Sequence, residues 1–305
     1  MSEDFRAGFV TIVGRPNTGK STLINALMNS KVVITSHHPN TTRNPIRAVL
    51  TRADYQIVLV DTPGVHKPKT TLGSRLNAMV EDSASDGDIV VLTLPANEAL
   101  GKGDEYIVKN YVTPRSRLII ALTKMDTVTP EIHMQQLQAI SEFVARLNVY
   151  VHEIFPVSSK DLDSIRRFEK VLASHIPLSH ALYPAETTLD QALEMTFAEF
   201  IREAAIEDLR EELPHSIMVT IDEYAKRGAK NFYDIHATLH VERDSQKGIL
   251  LGDKGERLKS IGIKSRASIE NFLGAKVFLG IHIKVSKEWQ RDPKALARFG
   301  FSERK

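Results

Sequence analysis

The sequence predicts a P-loop type of α/β domain on a mostly parallel six-stranded sheet, followed by a smaller α+β domain. Three observations carry this. Residues 14–21 read Gly-Arg-Pro-Asn-Thr-Gly-Lys-Ser, which fits the phosphate-binding pattern G-x-x-x-x-G-K-[ST] at every fixed position. Apolar runs alternate with helical patterns as far as Ile176, as expected of βαβ units with helices on both faces of a sheet. Beyond Pro177 and Pro184 that alternation stops, and from Lys226 onward basic residues outnumber acidic ones.

The elements follow in order. Phe9–Val13 is an apolar run that feeds the glycine-rich turn. A helix is expected from Lys20, with Leu23, Ile24, Leu27 and Met28 on one face. Ala48–Thr51 and Ile57–Val60, joined by Arg52-Ala-Asp, read as a hairpin that supplies one antiparallel edge. Ile89–Leu94, Leu118–Leu122 and Val151–Val157 complete the strands. Helices are expected to start near Thr71, Asp104, Pro130 and Ser164. In such sheets ligands sit at the carboxyl ends of the strands.

The 176–188 segment loses periodicity, which places the domain boundary between residues 178 and 179. A helical pattern from Asp190 to Glu212 follows, stopped by Pro214. Then come strand-like runs at Ser216–Glu223 and Tyr233–Glu242, a helix pair, and a last strand near Lys276–Val285. There is no internal repeat and no low-complexity tract.

There are no cysteines, which excludes disulfides and thiolate chemistry and suits a reducing compartment. The acidic N-terminus lacks a secretory signal pattern, and no apolar run approaches the ~20 residues that cross a bilayer. A cytoplasmic location is expected, with peripheral contact at the inner face of the cell membrane left open. The net charge of +2 hides an asymmetry: from Lys226 onward there are 18 Lys+Arg against 9 Asp+Glu, and before it 22 against 29. Solvated surface charge would explain this; so would a local polyanion-binding surface.

The phosphate loop aims backbone N–H groups and a helix N-terminus at one point, a ready anion site. Gly14, Asn17, Thr18, Gly19, Lys20, Ser21 and Thr22 are its candidate contacts, with Lys20 facing the β- and γ-phosphates and the Ser21 hydroxyl ligating magnesium. Asp61-Thr-Pro-Gly64 follows a strand; Asp61 can hold magnesium through water, and Gly64 leaves room for its backbone N–H to meet a γ-phosphate. Thr123-Lys-Met-Asp126 follows another: Asp126 can accept from guanine N1–H and the 2-amino group, and the Lys124 stem can cover the base. At the next strand end, Ser158, Ser159 and Lys160 offer backbone donors to guanine O6, or simply cap a helix. Thr42, in Thr-Thr-Arg between the first helix and the hairpin, is a candidate magnesium ligand. His37-His38 beside Pro39 reads as loop, no cluster suggests zinc, and no G-x-S-x-G elbow is present.

These residues in this order resemble the translation-factor-related GTPases, most closely the Era family of bacterial GTPases, over nearly the whole chain. The resemblance implies GTP/GDP with Mg2+ as ligands. Thr123 stands where the family usually has asparagine; threonine keeps a hydroxyl but loses the amide that ties this segment to the phosphate loop, which predicts lower guanine affinity with guanine choice kept by Asp126. Val65 stands where many GTPases place a water-orienting glutamine, which predicts slow intrinsic hydrolysis and leaves no catalytic residue assigned. Lys20 and Asn17 are the candidate stabilisers of transition-state charge; Asn17 matches a residue that helps bind K+ in some relatives, or it only supports the turn. Turnover in potassium against sodium separates the two.

In the second domain, Gly252-Asp253-Lys254-Gly255 lies between two helical patterns. A G-x-x-G turn there marks a KH domain, which clamps about four nucleotides, and the element order resembles the type II KH domain of the same family. Gly252, Asp253, Lys254, Gly255, Arg257 and Lys259 are the candidate RNA contacts; Asp253 is a departure that would repel phosphates, with Lys264 and Arg266 among the offsetting charges. Trp289 is expected to pack against the domain rather than to stack a base.

The family resemblance implies a GTPase switch, expected to be monomeric, that binds 16S ribosomal RNA near its 3′ end and assists assembly of the 30S subunit or its precursor, with no DNA target. An RNA-binding assembly chaperone with a mainly structural nucleotide domain is the alternative. A membrane-associated signalling GTPase fits less well, as no lipidation motif is present.

Overall fold

The computed structural model describes residues 4–36, 38, 41–65, 70–113, 116–207, 209, 213–228 and 231–301; the His37 and Pro39 positions lie outside them. The chain forms two compact units: residues 1–33, 42–67 and 76–190, and residues 34–41, 68–75 and 191–305.

The first unit holds strands β1 (Arg6–Val13), β2 (Ile46–Thr51), β3 (Tyr55–Asp61), β4 (Ile89–Pro95), β5 (Arg117–Thr123) and β6 (Glu153–Pro156). They form one sheet in the order β2-β3-β1-β4-β5-β6. All pairings are parallel except β2 with β3, the expected antiparallel edge. Every residue of β4 is buried, as a strand covered on both faces requires. Helices α1 (Lys20–Met28) and α5 (Leu162–His175) bury Leu23, Ile24 and Leu27, and Ile165, Phe168 and Leu172, against one face. Helix α2 (Thr71–Asp86, from Leu76 onward), α3 (Lys102–Tyr111) and α4 (Pro130–Leu147) send Val80, Ile107, Val108, Ile140 and Phe143 into the other.

The sequence places a boundary between residues 178 and 179, whereas the first unit runs on to Asp190. Backbone bonding explains the difference. Ser179 N donates to Phe5 O at 3.0 Å, Val49 N to Thr188 O at 2.9 Å and Asp190 N to Arg47 O at 2.9 Å, so the aperiodic segment satisfies its polar groups on this unit.

The second unit holds α6 (Leu193–Ile206), the short α7 (Leu213–Ser216), β7 (Met218–Lys226), β8 (Phe232–Val241), α8 (Asp244–Leu251), α9 (Glu256–Leu273), β9 (Lys276–Val285) and α10 (Pro293–Arg298). The sheet order is β7-β8-β9, with β7 antiparallel and β9 parallel to β8. Phe197, Phe200, Leu250, Ile261 and Ile269 from α6, α8 and α9 pack on one face of it. The expected helix at 190–212 ends at Ile206, and Pro214 lies in α7, not past a helix end. Proline at the second helical position is tolerated because that N–H has no helical partner anyway.

On the other face of this sheet His240 is buried between the Thr220 and Ser286 hydroxyls, each 3.0 Å away, and its ring packs on Phe299. Burial, helped by Arg298 and Lys284 and opposed by Asp222, pulls the imidazole from 6.5 down to about 4. A base whose folded pKa is depressed stays neutral in the fold while the unfolded chain takes up a proton. Its contribution is therefore fully present above pH 6.5 and is lost as the pH falls from there toward 4, by roughly 2 kcal/mol or more. Urea unfolding of His240→Gln should show a shallower loss of stability between pH 7 and 4.5 than wild type. Equal slopes would remove this account.

Candidate functional site

In the first unit the motif segments leave the carboxyl ends of the strands, where a doubly wound sheet places ligands. The phosphate loop is shaped by left-handed residues: Asn17 has φ 62° and Gly19 φ 94°. Side chains are excluded where the backbone must come close. A Cβ on Gly14 would lie 2.2 Å from Thr93 Oγ1, and one on Gly64 3.0 Å from Pro16 Cα. Lys20 is buried; its ammonium donates to Gly14 O at 3.1 Å and Arg15 O at 2.8 Å. Burial lowers its pKa from 10.5 to about 8, with Asp61 opposing. A buried cation at the mouth of an amide-lined loop favours an anionic ligand.

Ser21, Thr42 and Asp61 converge although 40 residues separate the first from the last. Ser21 Oγ donates to Asp61 Oδ2 at 2.8 Å, Thr42 Oγ1 donates to the same oxygen at 2.8 Å, and the two hydroxyls are 3.2 Å apart. Three hard oxygens in one triangle suit Mg2+, which takes carboxylate, hydroxyl and phosphate oxygens. These three residues would hold the ion, which would supply positive charge to neutralise a nucleotide's phosphates.

At the base-recognition end, Asp126 Oδ1 accepts from Ser158 Oγ at 3.0 Å, and Oδ2 lies 2.7 Å from Lys160 Nζ. The Lys160 hydrogen bond leads in holding this carboxyl below the usual range. Asp126 is thus an ionised, acceptor-only group. Lys160 N also donates to Ser158 Oγ at 3.2 Å, and Ser159 is half-buried beside them.

Thr123 departs from its expectation. Its hydroxyl donates to Thr18 O at 2.6 Å, so the tie to the phosphate loop exists without an amide. The hydroxyl is buried and its partner is a loop carbonyl, so losing it strands a buried acceptor. Thr123→Val should weaken GDP binding by about 1–2 kcal/mol, or roughly tenfold. An unchanged affinity in a titration with labelled GDP would show the tie to be idle.

Several supports were not read from the sequence. Arg15 Nε donates to the buried Asp104 Oδ1 at 2.7 Å, and Glu98 lies 3.4 Å from Arg15 and 3.3 Å from Lys124. Glu98 thereby links the phosphate loop to the lysine expected over the base. Thr93 Oγ1 bridges Val13 O at 3.1 Å and Thr18 Oγ1 at 2.7 Å beneath Gly14. The available signal was a polar residue inside an otherwise apolar strand, Thr93 in β4. Val65 is buried in the core, and its N–H donates to Gly14 O at 3.2 Å, so its side chain is not presented to an attacking water.

In the second unit the G-x-x-G turn joins α8 to α9, with Gly252, Lys254 and Gly255 at φ 69°, 47° and 82°. A Cβ on Gly252 would lie 2.7 Å from Arg257 Cβ. Gly252, Asp253, Lys254 and Lys259 are exposed. Arg257 is not open like them: it is half-buried and donates to Glu207 O at 3.1 Å. Lys264, counted among the offsetting charges, pairs with Glu207 at 2.7 Å. Trp289 is fully buried, donates through Nε1 to Ser216 O at 2.9 Å and meets Phe299 edge-on, so it packs and does not stack a base.

A family model described as a 50S ribosome-binding GTPase matches residues 9–124, and a KH domain model matches residues 212–290. GTPase Era of Mycolicibacterium smegmatis is 48% identical over 301 residues, covering 98% of this chain and 99% of that protein. GTPase Era of Mycobacterium tuberculosis is 48% identical over 302 residues, with the same coverage. A crystal structure of Era in complex with MgGDPNP and nucleotides 1506–1542 of 16S ribosomal RNA matches with a TM-score of 0.91 at 33% identity, over 98% of this chain and all of that one. Aquifex aeolicus Era bound to GDP·AlF4− matches with a TM-score of 0.91 at 32% identity, over the same shares. A phosphate loop, a magnesium-competent oxygen triangle and a type II KH unit lie on a chain this similar from end to end to Era proteins, and it belongs to the Era family of P-loop GTPases.

Proposed function

We propose that this protein binds GTP with Mg2+, hydrolyses it slowly, and uses its KH unit to hold 16S ribosomal RNA near the 3′ end during assembly of the 30S subunit. The observation that supports the switch is the meeting of Ser21, Thr42 and Asp61 on the phosphate loop. Thr42 belongs to the segment that precedes β2 and already meets Asp61 at 2.8 Å. A γ-phosphate with its ion favours the ordered arrangement, and hydrolysis releases it. The buried Val65 supports a slow intrinsic rate, because the usual water-orienting amide is missing. Asn17, held at φ 62°, is the residue that would place K+ beside the phosphates. Among the described residues no helix is long and apolar enough to cross a membrane, and the reading places the protein in the cytoplasm.

RNA affinity measured with a GTP analogue and with GDP tests the proposal. The expected result is tighter RNA binding with the analogue and turnover stimulated by RNA or pre-30S particles. Equal RNA affinity with both nucleotides would favour an assembly chaperone whose nucleotide unit is structural. Gly255→Asp serves as the control. It puts a side chain at φ 82° and a carboxylate beside phosphates, so RNA binding should fall by about tenfold or more with GTP binding unchanged.

A further inference from the structure

Strand β9 reads Lys-Val-Phe-Leu-Gly-Ile-His-Ile-Lys-Val. Its odd-numbered residues, Val277 to Val285, pack into the core with α8 and α9. The alternation of a strand therefore sends Lys276, Phe278, Gly280, His282 and Lys284 to the opposite face. The G-x-x-G turn belongs to the helices, so this row lies on the other side of the sheet from it.

That outer face is closed at one end and open at the other. At the closed end His240 lies under Phe299, ring centroids 4.9 Å apart, and Phe299 lies against the buried Trp289. At the open end Phe278 is 47% exposed and His236 is exposed. The two rings are neighbours, with centroids 5.7 Å apart. Gly280, the register partner of His236, makes the arrangement: a Cβ there would lie 3.0 Å from His236 Nδ1. The glycine lets the imidazole lie over the β9 backbone beside the phenyl ring.

Charges of both signs surround the rings: exposed Glu223 is the register partner of His236 and exposed Asp222 accepts from Thr238 Oγ1 at 2.7 Å, while the cations gather along β9. Asp234, opposite Phe278, is neutralised by a two-pronged Arg227, which itself stays 60% exposed. Lys276 flanks the rings, though it also pairs with Glu270 at 3.2 Å, and exposed Lys284 and His282 continue the row. Exposed aromatic rings on a sheet face, interleaved with cations, stack the bases of single strands while the cations follow the backbone.

We propose that this open half of the outer sheet face is a second contact site for single-stranded RNA, with bases stacked on Phe278 and His236. It rests on the reading that the KH unit holds RNA, and it extends that footprint around the β9 edge. A strand of about four nucleotides fills the G-x-x-G clamp alone, and only a longer one reaches the rings.

The test uses the full chain and fluorescein-labelled RNAs from the 1506–1542 segment of 16S rRNA: one of roughly twelve nucleotides, and its overlapping pieces of about four. Phe278→Ala should weaken binding of the longer RNA by roughly five- to tenfold and leave the short pieces unaffected, and Phe278→Tyr should restore it. Because Phe278 lies outside the core cluster, the melting temperature should not move. Wild-type affinity of Phe278→Ala for both lengths, with Gly255→Asp weakening both, would overturn the second site alone. Failure of wild type to hold either RNA would overturn the RNA reading itself.

Discussion

Replacing Lys20 with Met should lower GTP and GDP affinity by two to three orders of magnitude and suppress hydrolysis further. The ammonium is buried, crosses the loop to the carbonyls of Gly14 and Arg15, and is the charge available to the β- and γ-phosphates. A hydrogen bond to a charged group contributes about 1.5–3 kcal/mol, and two such contacts account for the expected loss. Met keeps most of the volume, so the change isolates the charge from the cavity that Ala would leave. A pH signature accompanies it. The Lys20 pKa, lowered by burial to about 8, should rise again when phosphates neutralise the site. The complex then holds more protons than the free protein, and affinity falls as the pH climbs past 8. Calorimetry in buffers of different ionisation heat should detect proton uptake near that pH in wild type and none in Lys20→Met. Equal nucleotide affinity in both proteins would end the assignment of Lys20.

Replacing Asp126 with Asn should exchange guanine for xanthine. The carboxylate is ionised and offers only acceptors, held by Ser158 Oγ and Lys160 Nζ. Guanine presents two donors, N1–H and the 2-amino group, and each carboxylate oxygen has a lone pair to spare for them. Asparagine offers one acceptor and one donor, so the 2-amino group would face another donor. Xanthine carries a carbonyl at that position and matches the new order. A site that leaves buried polar groups unpaired rejects a ligand strongly, so GDP affinity should fall by roughly 10² to 10⁴ while XDP binds more tightly than GDP. Competition against labelled GDP measures both, with ADP as the excluded reference. Retained preference for GDP would place base recognition elsewhere.

Much of the fold was legible in advance because it is written in local patterns. The strands expected at Ala48–Thr51 and Ile57–Val60 begin two residues earlier and end within one residue of the expected position, and helices expected near Lys20, Thr71 and Pro130 start there. The helix expected to 212 was overextended, since Pro214 reads as a stop yet suits the second position of a new short helix. The tie made by the Thr123 hydroxyl was not legible for a different reason. That hydroxyl meets the carbonyl of Thr18, 105 residues away, and no periodicity reports such a pairing.

The layered α/β unit, the KH unit after it, the phosphate loop and the order of motifs at strand ends were all readable from residue order. Burial of apolar side chains has a period, and special backbone shapes demand particular residues, so both can be read along the chain. It took the folded chain to show that Ser21, Thr42 and Asp61 share one triangle, that Glu98 joins Arg15 to Lys124, and that Trp289 closes one end of a sheet face while Phe278 stays open. Those meetings depend on the path of the chain between distant elements, and a hydrogen bond or a stacked ring is specific to a few tenths of an ångström that local pattern does not carry.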